Sequence, residues 1–524
     1  MISKRFVTIL AAVLTLFSLP AYGLQGHIDR LDIGTTMEVK NVGIGDRTFG
    51  LMMGILSHRS LTRFSADGSI VGDLASSWET HDATSWIFHL RPGTTWHDGK
   101  LLTADDVVFT YKYLIEKIPA YIRHFNLLED IDATDPLTVR IRLKQPNSRF
   151  MVNVCGIEIL PMHIYRNVDD PRVFFGPRAA IGSGPFVFQS FDANNGLITF
   201  SAYAAYKPEK PVVDMVRFHV YKNKDTLNLA LKKGIVDLPY SFPMENDASS
   251  LMFLKKSGNL SFFSTENMGL PNALFFNTQK SPMDNPEMRR ALSMAIDYQK
   301  MIDLISGGYG HWPNTGIVPP GMHAYFKTEP FLYSPEKAEE KLKDLGYEDN
   351  DGDGILDKGG IPLSIDCMIM NESTENRRAA ELLKRDFDMV GVNFIPRYVD
   401  ANVFQTMVNR EKNYTMILHR TTSWGMMSWA GCGTAYIDER NMGWTSTVDG
   451  VLYRMIDRLN GAVSEEDYVR SASDLQKYYS ENIFIIPLFW NTLVFPYNNR
   501  LSGWKTDCFN GILNLDSWFS LKAR

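Results

Sequence analysis

The chain has 524 residues, with Lys+Arg 54 against Asp+Glu 60 and a net charge of -6. That balance offers no electrostatic footprint for nucleic acid and no polybasic patch for a membrane surface, so neither is expected as a partner. The length exceeds what one hydrophobic core usually serves, and two or three domains are expected.

Residues Met1 to Gly23 carry Lys4 and Arg5, an apolar run from Phe6 to Leu19, and then Pro20-Ala21-Tyr22-Gly23. The charged start, the short apolar centre and the small residues at 21 and 23 read as a secretory signal cleaved before Leu24. The apolar run is shorter than the ~20 residues that span a bilayer. No Cys lies near the cleavage point, so a freely diffusing periplasmic protein is expected rather than a lipid-anchored one. The four cysteines, Cys155, Cys367, Cys432 and Cys508, form no C-x-x-C pair. Their spacing fits disulfides and buried thiols alike.

The stretch from Leu74 to Leu114, LASSWETHDATSWIFHLRPGTTWHDGKLLTADDVVFTYKYL, alternates Trp86, Phe88 and Leu90 with Ile87 and His89 as a strand does. Pro92-Gly93 and Asp98-Gly99 then break the chain into turns. Thr103 followed by Asp106 predicts a helix N-cap with an acidic first turn, leading into Val107, Val108, Phe109, Tyr111 and Leu114. Periodicity alone would suit a hairpin and helix in any mixed α/β protein. The whole segment, however, resembles the signature of the extracellular solute-binding proteins of the peptide, oligopeptide and nickel type, family 5, which hand ligands to ATP-driven importers.

Two further segments resemble that family in the same order. From Gly182 to Tyr240 the residues GSGP precede predicted strands around Phe186 to Phe191, Leu197 to Ala202 and Met215 to Tyr221, then a helix from Asp225 to Lys233 ended by Gly234. Departures from the family pattern fall at Ser183 and at Ala204-Ala205 before Tyr206. From Asn272 to Met322 a strand at Ala273 to Asn277 leads to a helix opening at Pro286, with Met288, Leu292, Ala295 and Ile296 on one stripe. A helix from Pro335 to Leu345, a strand at Leu363 to Met368, a helix at Asn376 to Val390 and a strand at Asn393 to Tyr398 then predict a parallel-sheet α/β lobe. The apolar run from Ile483 to Trp490 suits a buried strand returning to the first lobe.

The resemblance implies an α/β fold, a two-lobed periplasmic-binding-protein clamp of class II type with an extra subdomain inserted in the first lobe. On that template residues 24–60, 185–275 and 491–524 form the first lobe, 61–184 the inserted subdomain and 276–490 the second lobe. Ligand would sit between the lobes, where concave sites preferentially occur. A monomer that docks on the permease subunits of an importer is implied, with no cofactor required.

The segment Tyr414 to Trp444 carries a strand and then a long Gly-, Met- and Trp-rich loop, a kind of segment on which scaffolds place binding groups. Met416-Ile417-Leu418-His419-Arg420 followed by Trp424-Gly425 resembles the nickel-binding branch at the second-lobe edge of the cleft. By that resemblance Trp424, Arg420, Tyr414, Met427 and Trp429 are the candidate ligand-contacting residues, each with a core or solvated role as its alternative. Peptide-binding members commonly carry an Asp just after this Trp, paired with the free α-amino group of the peptide. Met427 stands at the third residue, and no Asp or Glu occurs between Trp424 and Tyr436. A ligand without a free amino terminus is then favoured, unless Glu158 or Asp438 supplies the charge from elsewhere.

For a nickel complex the available His is His419, which also reads as a structural residue on its strand. His27, His58, His97 and His311 are no better placed, and no His-x-His spacing exists. Met37, Met52, Met53, Met426 and Met427 fit core filling or an adaptable ligand wall. Asp349, Asp351, Asp353 and Asp357 match the first half of an EF-hand-like calcium loop, with Gly360 where the late Glu would stand. An Asx-Gly turn explains the same residues. The function expected is capture of a peptide or peptide-like solute, with a metal chelate as the alternative. A secreted hydrolase is less favoured, since neither G-x-S-x-G nor H-E-x-x-H occurs.

Overall fold

The computed structural model describes residues 27–118, 125, 127–147, 150–151, 156–242, 248–265, 272–371, 374–420, 433–440 and 442–524. The expected signal segment lies outside them. Among the described residues no helix is long and apolar enough to cross a membrane.

A first five-stranded sheet runs in the order Leu238–Tyr240, Leu31–Thr35, Met215–Val220, Leu197–Ala202 and Phe186–Asp192. Leu31–Thr35 is buried at every residue, because it is flanked by parallel partners on both sides and covered on both faces. Helix Arg47–Leu56 packs on this sheet, its N-cap Asp46 accepting from the Phe49 N–H at 2.9 Å. Phe49 then meets Phe188 edge-on at 5.4 Å and Phe200 stacked at 6.0 Å.

The GSGP segment is explained by what lies against the end of that helix. A Cβ on Gly182 would stand 1.7 Å from the Ser57 carbonyl oxygen, so no larger residue fits. Instead the Gly184 N–H donates to that same oxygen at 2.8 Å. It is this Gly184–Ser57 bond that crosses from the inserted subdomain to the first lobe, while the His97 N–H donates to the Gly182 carbonyl at 2.9 Å within the subdomain.

The subdomain is a four-stranded antiparallel sheet, Ala75–Thr80, Ser85–Leu90, Thr138–Leu143 and Leu128–Asp135 in spatial order. Helix Ala104–Lys117 lies on it, beginning where Thr103 predicted. Asp106 does more than favour the helix N-terminus. Its Oδ2 accepts from the Thr103 N–H and its Oδ1 from the Met162 N–H, both at 2.9 Å, and it is buried. Replacing Asp106 by Ala would leave both donors unsatisfied, and a loss of about 1–3 kcal/mol is expected in a denaturant titration, against near-neutrality if these bonds are replaced by water.

A second five-stranded sheet has the order Asn393–Val399, Ser364–Met370, Met416–Arg420, Asn272–Phe276 and Ile485–Pro487. The expected β-α-β unit is present, with helix Thr374–Asp388 linking two parallel strands. The sheet as a whole is mixed rather than parallel, because Asn272–Phe276 enters antiparallel to both neighbours. That strand belongs to the second sheet from Asn272 onward, a few residues earlier than the template boundary. The apolar run after Ile483 also behaves differently from a single returning strand. Ile485–Pro487 stays in the second sheet, Trp490–Asn491 pairs with Gly310–His311, and the return is made by Leu493–Asn498.

Leu493–Asn498 pairs antiparallel with Leu260–Thr265, and this two-stranded ribbon carries the chain between the two large sheets. A hairpin with strands Thr62–Phe64 and Ile70–Gly72 adds a contact to the second lobe. Phe64 shares a core cluster with Ile317, Val318 and Met322, and the His323 N–H donates to the Asp67 carbonyl at 2.6 Å.

Candidate functional site

The chain enters the second sheet at Asn272, directly after the ribbon, and Asn272 lies opposite Arg420 in register. The Arg420 end of strand Met416–Arg420 is therefore the ribbon-side end, and the loop that follows starts there. In the first sheet, Leu31–Thr35 and Leu238–Tyr240 are parallel and end together, beside the ribbon strand Leu493–Asn498. Carboxyl ends of parallel strands are where open α/β sheets place ligands.

One cavity occupies this region of the first lobe, and a second lies against helix Arg47–Leu56, between residues 59–73, 156–158 and 507–515. The first, of about 110 Å³, is mainly apolar and lies between Thr36, Tyr240, Ser241, Leu254, Phe495 and Ile512. The other, of about 80 Å³, is lined by Leu51, Gly54, His58, Arg59, Arg63, Phe64, Asp73, Glu158, Asp507 and Phe509, among others. Asn510 borders both.

The second cavity concentrates ionisable groups in a way the sequence does not announce. Arg59 donates from Nε to Asp73 Oδ1 at 2.6 Å, and Asp73 Oδ2 accepts from the Ser60 N–H at 3.0 Å. Arg63 reaches Asp516 with two bonds of 3.0 and 2.8 Å. Burial holds the His58 imidazole down at about 3, with the neighbouring His97 adding to the effect, so it is neutral. Burial pushes the Asp507 carboxyl up to about 6, against the N–H groups of Asn510 and Phe509 and the charge of Arg63. Burial also pushes Glu158 up to about 7, and no side-chain partner opposes the shift.

Glu158 owes its place to two local features. The Ile159 N–H donates to the Arg59 carbonyl at 2.9 Å, which pins segment 156–160 beside the cavity. Gly54, on helix Arg47–Leu56, then leaves space for the carboxyl group, since a Cβ there would stand 2.6 Å from Glu158 Oε1.

The second-lobe candidates fare unevenly. Trp424, Met427 and Trp429 lie outside the described residues, and Arg420 is described only as the last residue of its strand. Tyr414, expected at the ligand, is instead a core residue with 0% exposure. Its hydroxyl donates to the Trp444 carbonyl at 2.8 Å and lies 3.0 Å from Ser446 Oγ, and it stands at the far end of the strand from Arg420. His419 sits among aromatic rings, 4.8 Å from Trp444 and 5.2 Å from Phe404. Of the two carboxylates that could replace the missing peptide anchor, Asp438 is already held by Arg440, with bonds of 2.9 Å from Nε and from Nη2. Glu158 has no such partner among the described residues.

Other candidates lie elsewhere. Met52 and Met53 are core residues of the first lobe, while Met37 Sδ accepts from the Phe242 N–H at 3.2 Å. Carboxylates of Asp349, Asp351 and Asp353 converge within 4.8 Å of one another, and Asp357 is not among them. Asp357 accepts from the Asn350 and Gly360 N–H groups, and Asp349 from those of Gly352 and Gly354. These bonds give the loop the form of an Asx-type turn, and the same three exposed carboxylates are the ones expected for a calcium loop. A second convergent group, His27, Asp29 and Asp214, also lies away from the cavity. Cys367 is a free, buried thiol, Cys508 is buried, and Cys155 and Cys432 lie outside the described residues.

Comparison with known proteins agrees with this architecture. The family model described as "Bacterial extracellular solute-binding proteins, family 5 Middle" matches residues 69–440. The chain is similar to the nickel-binding periplasmic protein of Escherichia coli (strain K12), 24% identical over 377 residues, 70% of either chain. It is also similar to the probable D,D-dipeptide-binding periplasmic protein of the same organism, 26% identical over 378 residues, 66% of this chain and 70% of that one. Its fold is like that of the oligopeptide-binding protein AppA from Bacillus subtilis in complex with a nonapeptide, with a TM-score of 0.70, 19% identity and coverage of 95% and 100%. It is also like that of NikA from Brucella suis in complex with Fe(III)-EDTA, with a TM-score of 0.79, 18% identity and coverage of 94% and 100%. A match over that much of the chain, on sheets joined by a paired ribbon with a cavity at the strand ends, means that this protein belongs to the bacterial extracellular solute-binding proteins, family 5.

Proposed function

We propose that this protein is the extracytoplasmic binding component of an ATP-driven importer, capturing a peptide or peptide-like solute between its lobes and delivering it to the membrane permease. The observation that carries the reading is the arrangement of two large sheets joined by the ribbon of Leu260–Thr265 and Leu493–Asn498, with a cavity at the strand ends beside it. Such a ribbon lets two rigid bodies close on a ligand, and the closed form offers a permease a surface the open form lacks. Relatives named for a D,D-dipeptide and solved with a nonapeptide support a peptide class. Relatives named for nickel keep a metal chelate as the second reading. Against it, the described groups that could converge on a metal lie away from the cavities. The protein acts by binding, without changing a covalent bond of its cargo.

Mass spectrometry of ligand carried through purification tests this directly. A peptide or peptide-like compound is expected, together with a smaller radius of gyration in solution scattering when it is bound. A metal complex would overturn the peptide choice, and identical scattering with and without the recovered ligand would overturn the clamp. The proposal also gives Trp424 a share of the ligand surface, so Trp424→Ala should weaken binding of the recovered ligand by roughly tenfold or more without lowering the melting temperature. Unchanged affinity would remove Trp424 from the site.

A further inference from the structure

The cavity beside Arg59 and Arg63 holds more carboxyl groups than free cations. Both guanidinium charges are met by carboxylates of their own, Asp73 at 2.6 Å and Asp516 at 2.8 and 3.0 Å. His58 is 3% exposed, and its Nε2 has no hydrogen-bond partner among the described residues. Its neutral ring therefore brings no charge to the site. Asp507 is satisfied by the Phe509 N–H at 2.8 Å and by the Asn510 N–H. Glu158 alone of the lining carboxylates has neither an ion-pair nor a side-chain hydrogen-bond partner among the described residues. It stands over Gly54, in space that any larger residue at 54 would take from it.

We infer that Glu158 anchors a cationic group of the imported solute, an ammonium such as the amino terminus of a peptide or an amine side chain, inside this cavity. The inference rests on the proposed peptide-like cargo for the remainder of the ligand and goes beyond it in naming the charge that is recognised. A volume of about 80 Å³ is a few water molecules' worth, enough for an ammonium and its adjoining carbon atoms. A carboxylate held in such a cavity without a counter-charge is costly, so an arriving cation removes that cost as it binds. Discrimination follows from the same fact, since a neutral or anionic group in this place would leave the carboxylate unmatched or repelled. The amino-terminal anchor missing after Trp424 on the second lobe is thus supplied by Glu158 on the subdomain side. Binding of the cation should strengthen as pH rises from 6 to 8, because Glu158 ionises across that range. Of the other lining groups, His58 stays neutral, Asp507 is about half ionised at pH 6 and adds a smaller contribution of the same sign, Arg59 is paired with Asp73, and Arg63 is paired with Asp516.

The test compares the full-length mature protein with Glu158→Gln, using ethylammonium chloride against equal potassium chloride in thermal-shift measurements at pH 6 and pH 8. A second arm uses tetra-alanine with a free or an acetylated amino terminus, read by calorimetry. Ethylammonium should raise the melting temperature of the unmodified protein more at pH 8 than at pH 6 and leave Glu158→Gln unmoved. Free tetra-alanine should bind Glu158→Gln roughly thirtyfold more weakly than the unmodified protein. Equal ethylammonium shifts in both proteins, no shift at all, or no change with pH would overturn the inference. If Glu158→Gln does not fold, the pH series is read in Asp507→Asn, where Glu158 is the carboxyl left to titrate across that range, and loss of the trend there would overturn the inference. Should ethylammonium behave as expected while neither tetra-alanine binds, the peptide reading fails and the Glu158 anchor stands. Should free and acetylated tetra-alanine bind both proteins alike, the peptide reading stands and the anchor falls.

Discussion

Glu158→Gln is expected to make the ligand-free protein more stable than its parent at pH 8 and nearly equal to it at pH 4. The carboxyl titrates at about 7 in the folded chain against 4.5 ordinarily. Between those values the unfolded chain has given up a proton that the folded chain keeps, so folding stability falls as pH rises. The difference, about 2.5 units from 4.5 to 7 at 1.36 kcal/mol each, sets an upper bound of about 3 kcal/mol. A value on the order of 2 kcal/mol is expected, because Glu158 is only partly buried and water in the cavity relieves some of the cost. Gln has the same shape and no charge, so its profile should lack this slope. Asp507 contributes a slope of the same sign between 3.8 and about 6, but it does so in both proteins and cancels in the comparison. Parallel stability profiles from pH 4 to pH 8 would show that Glu158 is not held in a poorly solvated place.

Asp73→Ala should be the more damaging change, costing about 3–5 kcal/mol. Arg59 and Asp73 are 7% and 5% exposed, and the alanine would leave the guanidinium buried without its carboxylate. The Ser60 N–H would lose its acceptor as well. The face of Tyr206, 5.5 Å from the guanidinium carbon, offers only a partial substitute. The double variant Arg59→Met, Asp73→Ala should regain much of the loss, since it removes the stranded charge and restores apolar volume. Denaturant titration of the four proteins of this cycle reads the coupling. A single-variant cost below about 1 kcal/mol, or a double variant no better than Asp73→Ala, would mean that water already reaches the pair.

The two substitutions probe one wall of one cavity from opposite sides. Asp73 closes an ion pair that belongs to the fold, whereas Glu158 is a charge the fold leaves open. The paired charge joins Arg59 of the first lobe to Asp73 of the subdomain, and the open one is the charge proposed to meet cargo.

The family, the order of elements and most of their boundaries were legible in the sequence because they rest on local rules. Thr103 and Asp106 mark the start of helix Ala104–Lys117, and Gly182 and Gly184 mark a close crossing, whatever the remainder of the chain does. The strands predicted at Leu363 to Met368 and Asn393 to Tyr398 are found at Ser364–Met370 and Asn393–Val399, since strand propensity is likewise a property of neighbours in sequence. Strand direction is not, and Asn272–Phe276 lies antiparallel because the ribbon delivers the chain to that side of the sheet. Tyr414 looked equally suited to ligand or core, and only the Trp444 carbonyl and Ser446, thirty or more positions away, decided for the core. Asp438 and Glu158 were interchangeable as sequence candidates. Arg440 folds back onto Asp438, while Arg59 and Arg63 turn to Asp73 and Asp516 and leave Glu158 alone. Propensity and periodicity are written in adjacent residues, but the partner that neutralises a charge is chosen by contacts between distant ones, and those exist only once the chain has folded.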